Sequence, residues 1–354
     1  MPDAASAPVV FVWPGDLHLE TADRENYRAA EWMIEEVNHL IRPDFVQFAG
    51  DNAQHATAEQ FALFMGLARR LHAPFYPLVG DHDVHHDPRG EAFRAWCGEP
   101  YGAFSLRGFR FIRLNTMEFR PLGMSDEQVA WFRYEVDRAV ARGERPVVFQ
   151  HHYPYQIWES FEGPGIDTWR QIVQTRRITA IFAGHTHYGQ IANDGRNLCV
   201  ATRSIGDPEG GPPSYTVCYL HGDDLALACR SQGDHGPLLL ITHPRRTLLA
   251  QDARHIVQGA DVCRVRIWAE QAVQTVRGRV DGGEWFDFSP DGACEWAASL
   301  PGDRLAKGEH QLEVEAADVQ AGVAAVSQNF MVDRSGRYTA VPQVDVVVKE
   351  TRFC

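Results

Sequence analysis

Five short polar clusters, each just after an apolar run, carry the side chains best suited to chemistry: Asp16-Leu17-His18, Gly50-Asp51-Asn52, Gly80-Asp81-His82-Asp83, His151-His152 and Gly184-His185-Thr186-His187. Carboxylate and imidazole are the donor types that suit zinc, manganese and iron, and D-x-H or H-x-H spacing lets two side chains of one turn face a common point. One such cluster alone is better explained as loop polarity or a capped helix start, because Asp, His and Gly are ordinary loop residues. Five in series, each following a strand-like run, point instead to a metal centre assembled from several loops.

The elements that must position these clusters are legible as a β-α alternation over the first 230 residues. Val9-Val10-Phe11-Val12-Trp13 predicts a strand, and Tyr27, Ala30, Ile34, Val37 and Ile41 then recur at helical spacing until Pro43 stops them. Phe45-Val46-Gln47-Phe48-Ala49 predicts a strand, 58–71 a helix, and Phe75-Tyr76-Pro77-Leu78-Val79 a strand made irregular by Pro77. Phe109, Phe111 and Leu114 mark a further strand. Ser125 and Gln128 have capping-box spacing and open a helix to about Arg142; a short buried strand at 147–149, a helix at 166–176 and a strand at 178–183 follow. Such alternation implies an α/β layered domain in which loops at the carboxyl ends of the strands converge on one edge, where ligands bind.

In this order the clusters resemble the calcineurin-like metallophosphoesterase superfamily, whose pattern is D-x-H, G-D, G-N-H-[DE], H and G-H-x-H, over about residues 8–230. The resemblance implies a two-layered ββ sandwich flanked by helices, with two metal ions (Mn, Fe or Zn) bridged by one aspartate and by a water or hydroxide. It implies that Asp16, His18 and His187 hold one metal, that Asp81, His151 and His185 hold the other, and that Asp51 bridges them. His82 matches the family histidine that donates to a substrate or leaving-group oxygen, with Asp83 expected to orient it and His152 to stand behind the ligand His151.

Asp81 departs from the pattern, since asparagine is usual there. Aspartate adds a full negative charge to its metal, which disfavours a dianionic monoester relative to a monoanionic diester or an uncharged substrate. A small phosphodiester is therefore the expected substrate. The alternatives are a dinuclear-metal enzyme acting on a non-phosphate or uncharged substrate, and a catalytically silent binding protein. His55, His85, His86, Trp13, Trp158, Tyr188 and Arg203 lie near the clusters in sequence; each is better explained by loop exposure or packing than by substrate contact.

Helical periodicity ends at about Pro237. Turn signals then arrive roughly every 8 to 12 residues between runs of period two, such as Cys263-Arg264-Val265-Arg266-Ile267-Trp268 and His310-Gln311-Leu312-Glu313-Val314. This texture resembles an immunoglobulin-like or fibronectin-like sandwich, an all-β domain suited to packing, self-association or forming part of a cleft wall. The expected organisation is a catalytic domain over 1–232, a sandwich over 237–335, and a tail over 336–354 whose Val344-Asp345-Val346-Val347-Val348 can add a strand. The net charge of −13 argues against non-specific attraction to nucleic acid or anionic lipid, and no run of about 18 apolar residues suggests a membrane span. Seven scattered cysteines without C-x-x-C spacing, and an N-terminus without a leader pattern, are expected of a cytoplasmic protein with reduced thiols.

Overall fold

The structure is a computed structural model that describes residues 7–156, 159–320, 322–344 and 353. β1 (Val9–Trp13), α1 (Glu25–Glu36), β2 (Phe45–Gln47), α2 (Ala58–Ala68) and β3 (Phe75–Tyr76) open the chain. α1 runs on into a π turn, Val37–Ile41, and stops at Arg42 in the left-handed region (φ 50°), directly before Pro43. The short α3 (Glu91–Cys97) leads to β4 (Gly102–Leu106), β5 (Phe109–Arg113), α4 (Asp126–Ala141) and β6 (Arg145–Phe149). Next come α5 (Ile166–Thr175), β7 (Ala180–Ala183), β8 (Gln190–Asn193) and β9 (Leu198–Ala201), and a hairpin of β10 (Ser214–His221) and β11 (Asp224–Ser231) returns to β1.

Strand order is β11-β10-β1-β2-β3 in one sheet and β4-β5-β6-β7-β9-β8 in the other. Along β1, Phe11 and Trp13 point between the sheets while Val10 and Val12 point toward α1 and α2, so both faces are apolar and the strand reads as a continuous hydrophobic run. The inter-sheet core is aromatic: Phe11 stacks on Phe45 at 5.0 Å and meets Phe149 and Phe182 edge-on at 5.5 and 5.3 Å. On the far side, Phe132 of α4 and Trp169 and Ile172 of α5 cover Ile112, Val148 and Ile181. The result is the two-layered sandwich flanked by helices.

The capping box at α4 is half formed. The Ser125 hydroxyl accepts from Gln128 N at 3.2 Å, but the Gln128 amide turns away to bind both backbone groups of Asn115 at 2.7 and 2.9 Å. Gln128 thereby ties the helix start to the chain just beyond β5.

Two further sheets pack on a second core. β12 (Leu238–His243) and β13 (Asp261–Trp268) are followed by β14 (Val273–Val280), β15 (Phe286–Asp287), β16 (Ser289–Pro290), β17 (Glu295–Leu300), β18 (Gly308–Asp318) and β19 (Val323–Val332). The sheets run β12-β13-β17-β16 and β15-β14-β18-β19, all antiparallel. β12 serves two cores at once: Leu239 and Ile241 face the sandwich interior, while Leu238 and Leu240 join the cluster beneath α1 and α2. Gln343 pairs with Asn193 at the edge of β8, so the tail does return to the first unit; its Val346-Val347-Val348 lies outside the described residues. Cys97, Cys199, Cys218, Cys263 and Cys294 are free thiols as expected, whereas Cys229 is disulfide-bonded, a correction to the expectation of reduced cysteines throughout. No helix among the described residues is long and apolar enough to cross a membrane.

His255, in the connection from β12 to β13, gives this region an acid sensitivity. Its Nδ1 accepts from Gln251 N at 3.2 Å, which requires the neutral ring, and burial, with Arg245 nearby, lowers the imidazole to about 4. The folded value lies below the unfolded value near 6.5, so the unfolded chain binds more protons between those pH values and stability is lost as pH falls through that window. His255→Asn keeps an acceptor at the Nδ1 position and removes the titration. Between pH 6.5 and 4, urea unfolding of the wild type is expected to lose about 2–3 kcal/mol more than that of H255N. Parallel pH profiles for the two proteins would show that His255 is not the source.

Candidate metal centre

Each cluster lies past the carboxyl end of a strand: Asp16 and His18 after β1, Asp51 after β2, Asp81 after β3, His151 after β6, and His185 and His187 after β7. The backbone there is unusual. Asp16, His18, Asp51, His185 and His187 have φ of 41°, 48°, 49°, 66° and 58°. A side-chain-bearing residue held in this region costs on the order of 1 kcal/mol or more, and such strain concentrates where function requires it.

Close backbone approach holds the loops in place. His18 N donates to Asp51 O at 2.9 Å and Gly206 N to Asp16 O at 2.9 Å. A Cβ at Gly206 would stand 2.0 Å from the Leu17 carbonyl oxygen, and one at Gly80 would stand 2.1 Å from Asp51 Oδ1, so both positions require glycine. The 206–213 loop is thus anchored at its first residue against the D-x-H turn.

The side chains gather into two groups. Ligand atoms of Asp51, Asp81, His151 and His185 lie within 4.8 Å of one another, and so do those of Asp16, His18 and His187. Asp81 Oδ1 is 3.1 Å from both His151 Nε2 and His185 Nδ1, and His18 Nε2 is 3.2 Å from His187 Nε2. Asp51 Oδ2 reaches both groups, at 3.5 Å from His151 Nε2 and 3.8 Å from His18 Nε2.

The outward nitrogens fix which ring atoms face inward. His151 Nδ1 donates to the Ala49 carbonyl at 2.8 Å, His185 Nε2 to Glu159 Oε2 at 3.0 Å, and His18 Nδ1 to Gln54 Oε1 at 2.8 Å. In the neutral rings the inward nitrogens therefore carry lone pairs, the arrangement that outer partners impose on metal-binding histidines. Glu159 and Gln54 were not anticipated from the sequence.

Two observations test whether this donor set suits cations. Asp16 Oδ2 is buried with no hydrogen-bond partner among the described residues, a costly state for a carboxylate oxygen. The His18 and His187 Nε2 atoms converge at 3.2 Å beside it, so both imidazoles turn a ring nitrogen to one point. A cation there would satisfy the Asp16 oxygen and take both nitrogens as donors, so the residues fit a dinuclear centre.

Electrostatics agree. Burial lowers His151, but Asp51, Asp81 and Asp16 outweigh it and push the imidazole well above its ordinary value; burial raises Asp51, yet His151 and His18 hold it at about 2. Divalent cations compete with protons for these same atoms, so their binding releases protons. His152 is also buried; desolvation and the neighbouring His151 and His185 keep it well below its ordinary value, and its Nδ1 lies 2.7 Å from the Thr116 hydroxyl. It stands behind the His151 loop as expected.

His82 is half-buried at the cleft, its ring centroid 4.6 Å from that of His18. Its Nδ1 donates to the Gln54 carbonyl at 3.0 Å. Asp83, expected to orient this ring, does not touch it. Asp83 is fully buried and accepts from Asn52 N, Ala53 N, Gly80 N and Asn52 Nδ2 at 2.9, 2.9, 3.0 and 2.8 Å. Burial and the Asp51 charge push its carboxyl up to about 7 in spite of the backbone N–H donors, which lower it. Asp83 is the brace that joins the 51–53 and 80–83 loops.

Of the other candidates, Trp13 is buried in the inter-sheet core with its Nε1 donating to Ala183 O at 3.3 Å, and so cannot stack on a substrate. Trp158 lies outside the described residues. Arg203 is half-buried near Gly211, Tyr188 is half-buried, and the His55 and His86 rings are exposed neighbours at 5.7 Å.

Residues 10–189 match the family model of the calcineurin-like phosphoesterases. The chain belongs to that family. A relative from Arcobacter nitrofigilis described as a probable glycerophosphodiester phosphodiesterase, GpdQ, is 22% identical over 204 residues, which is 51% of this chain and 72% of the relative. Among solved structures, a dimetal phosphatase from Danio rerio superposes with a TM-score of 0.53 at 13% identity, over 66% of this chain and 99% of that one. The purple acid phosphatase PPD1 of yellow lupin gives 0.51 at 14% identity, over 66% of this chain and 53% of the other. At these identities the structural likeness concerns the fold. Membership in this phosphoesterase family, with the two donor groups at the sheet edge, makes the chain a metal-dependent phosphoester hydrolase.

Proposed function

We propose that this calcineurin-like phosphoesterase hydrolyses small phosphodiesters, with one cation held by Asp16, His18 and His187, a second by Asp81, His151 and His185, and Asp51 shared between them. The observation that carries the diester preference is Asp81, a third carboxylate in the donor set, its Oδ1 3.1 Å from two of the imidazoles. The Arcobacter relative's description as a phosphodiesterase supports the same preference. Manganese, iron and zinc all suit this set of nitrogen and carboxylate donors.

Bound cations supply Lewis acidity toward phosphoryl oxygens and lower the pKa of water. The protein's part is position and protons. Because the Gln54 carbonyl takes the His82 Nδ1 proton, Nε2 of the neutral ring carries a lone pair, and only the imidazolium can donate from Nε2 to a leaving oxygen. His82 N also donates to Asp51 Oδ1 at 2.9 Å, which couples the position of the proton donor to that of the shared carboxylate. The chain divides into a catalytic unit over 1–232 and a sandwich over 237–335, the sandwich buttressing the first unit through β12.

Steady-state comparison of aryl phosphate mono- and diesters in wild type and Asp81→Asn tests the preference. The wild type is expected to favour the diester, and D81N to move the kcat/KM ratio toward the monoester by about tenfold, the equivalent of about 1.4 kcal/mol of differential charge interaction. A wild type that strongly prefers monoesters would refute it.

A further inference from the structure

Resting on the phosphoester reading above, we propose that Arg120, with His85 beside it, forms an anion subsite at the rim of the metal cleft and takes a phosphoryl oxygen of the substrate. A cavity of about 240 Å³ opens there, bordered by Asp81, His185 and Glu159 of the centre and by His85, Met117 and Arg120 from outside it.

Charge explains why such a residue is needed. Asp16, Asp51, Asp81 and Glu159 place four carboxylates at the centre, which cancel the four positive charges of two divalent cations. The whole chain carries a net charge of −13. Beyond direct contact with the cations, an anionic ester therefore meets little net attraction at the loaded centre and repulsion from the protein at large, which a cation at the rim of the cleft offsets. The guanidinium is the side chain suited to it, offering paired N–H donors to two oxygens of one phosphoryl group.

Arg120 is held for that task. It sits at the exposed tip of a loop whose neck is closed by the Met117–Gly123 bridge and by Gly123 N donating to Thr116 O at 2.8 Å. Ser125 N donating to Glu118 Oε2 at 2.6 Å and Met117 N donating to Asn115 Oδ1 at 2.9 Å brace the loop further. Thr116 also meets His152 of the centre at 2.7 Å. The guanidinium donates to the Val84 carbonyl, at the end of the turn that carries His82. Among the described residues no carboxylate lies within 4.0 Å of it, although Arg70 is paired with two and Arg110, Arg176 and Arg230 with one each. His85 lies next to the proton donor, its ring stacked 6.1 Å from that of His82.

The test uses Arg120→Gln and Arg120→Lys in the full chain, with metal content by elemental analysis, inorganic phosphate binding by calorimetry, and kinetics with an aryl diester. R120Q is expected to keep its metal and to raise both the phosphate Kd and the diester KM about tenfold or more while kcat changes less than about threefold; R120K recovers part of the affinity. A phosphate Kd for R120Q within twofold of wild type, at equal metal content, overturns the subsite. So does a loss confined to kcat, which would make Arg120 only a strut for the His82 turn. If the wild type binds phosphate but hydrolyses no ester, and R120Q abolishes that binding, the subsite stands and the phosphodiesterase reading falls. If the wild type does neither, both fall.

Discussion

Asp51→Asn is expected to lower kcat/KM for a phosphodiester by on the order of 10³-fold or more and to reduce bound metal below two equivalents, because losing a mere outer partner of a ligand already costs about 10- to 100-fold. The reason is the double duty proposed for this carboxylate. Asp51 is 1% exposed; its Oδ1 accepts from His82 N at 2.9 Å, and its Oδ2 stands 3.5 Å from His151 Nε2 and 3.8 Å from His18 Nε2. An asparagine must keep oxygen at the Oδ1 position to accept from His82 N, and so presents NH₂ where both cations need an anionic oxygen. The rotated amide is no better, since it sets N–H against N–H. Gly80 leaves no room for a shift, with a Cβ position only 2.1 Å from Asp51 Oδ1. Elemental analysis alongside kinetics checks the expectation. A D51N protein with two equivalents of metal and near-wild-type turnover would show that the two donor groups do not share this residue.

The convergence of the clusters was legible in the sequence because each candidate donor lies within a few residues of a strand's carboxyl end, and the strands of a layered sheet bring those ends together. The family resemblance implied that Asp16, His18 and His187 stand apart from Asp81, His151 and His185, and the ligand atoms fall into two such groups in space. The partners that orient the rings were not legible. Glu159 and Gln54 belong to no motif and arrive only because the chain folds back after β6 and β2. The positive φ values at five of the candidate donors were not read either: Asp and His enter the left-handed region more readily than most side-chain-bearing residues, but glycine is its usual signal.

The fold divides in the same way. β1, β2, β6 and β7 announced themselves as apolar runs between amphipathic helices. The β10–β11 hairpin, which completes the first sheet beside β1, was missed: Tyr215, Val217, Cys218, Tyr219 and Leu220 are buried on both faces, so period-two alternation is absent. β12 was placed at the start of a separate sandwich, and its Leu238 and Leu240 instead seal the first unit's helical layer. Alternation revealed that β12 is a strand but not that both its faces are occupied by different cores.

Asp83→Asn separates two roles that sequence adjacency had merged. His82 and Asp83 are neighbours in the chain, but the turn His82–Val84 is a 3-10 helix, which sends consecutive side chains about 120° apart. His82 goes to the cleft and Asp83 to the interior. Oδ1 of Asp83 accepts from Asn52 N and Ala53 N, and Oδ2 from Gly80 N and Asn52 Nδ2. Whichever oxygen becomes NH₂ in the variant, two buried donors are left facing N–H groups, each costing about 1–3 kcal/mol. D83N is therefore expected to lose on the order of 3–5 kcal/mol of stability in urea unfolding, and to bind metal more weakly because its unpaired donors flank Asp51 and Asp81. An orienter of His82 would behave otherwise: its loss would leave unfolding within about 0.5 kcal/mol of wild type and appear in kcat alone. Measured at a temperature where D83N is folded and metal-saturated, kcat should return to within about tenfold of wild type, since the Gln54 carbonyl still holds His82.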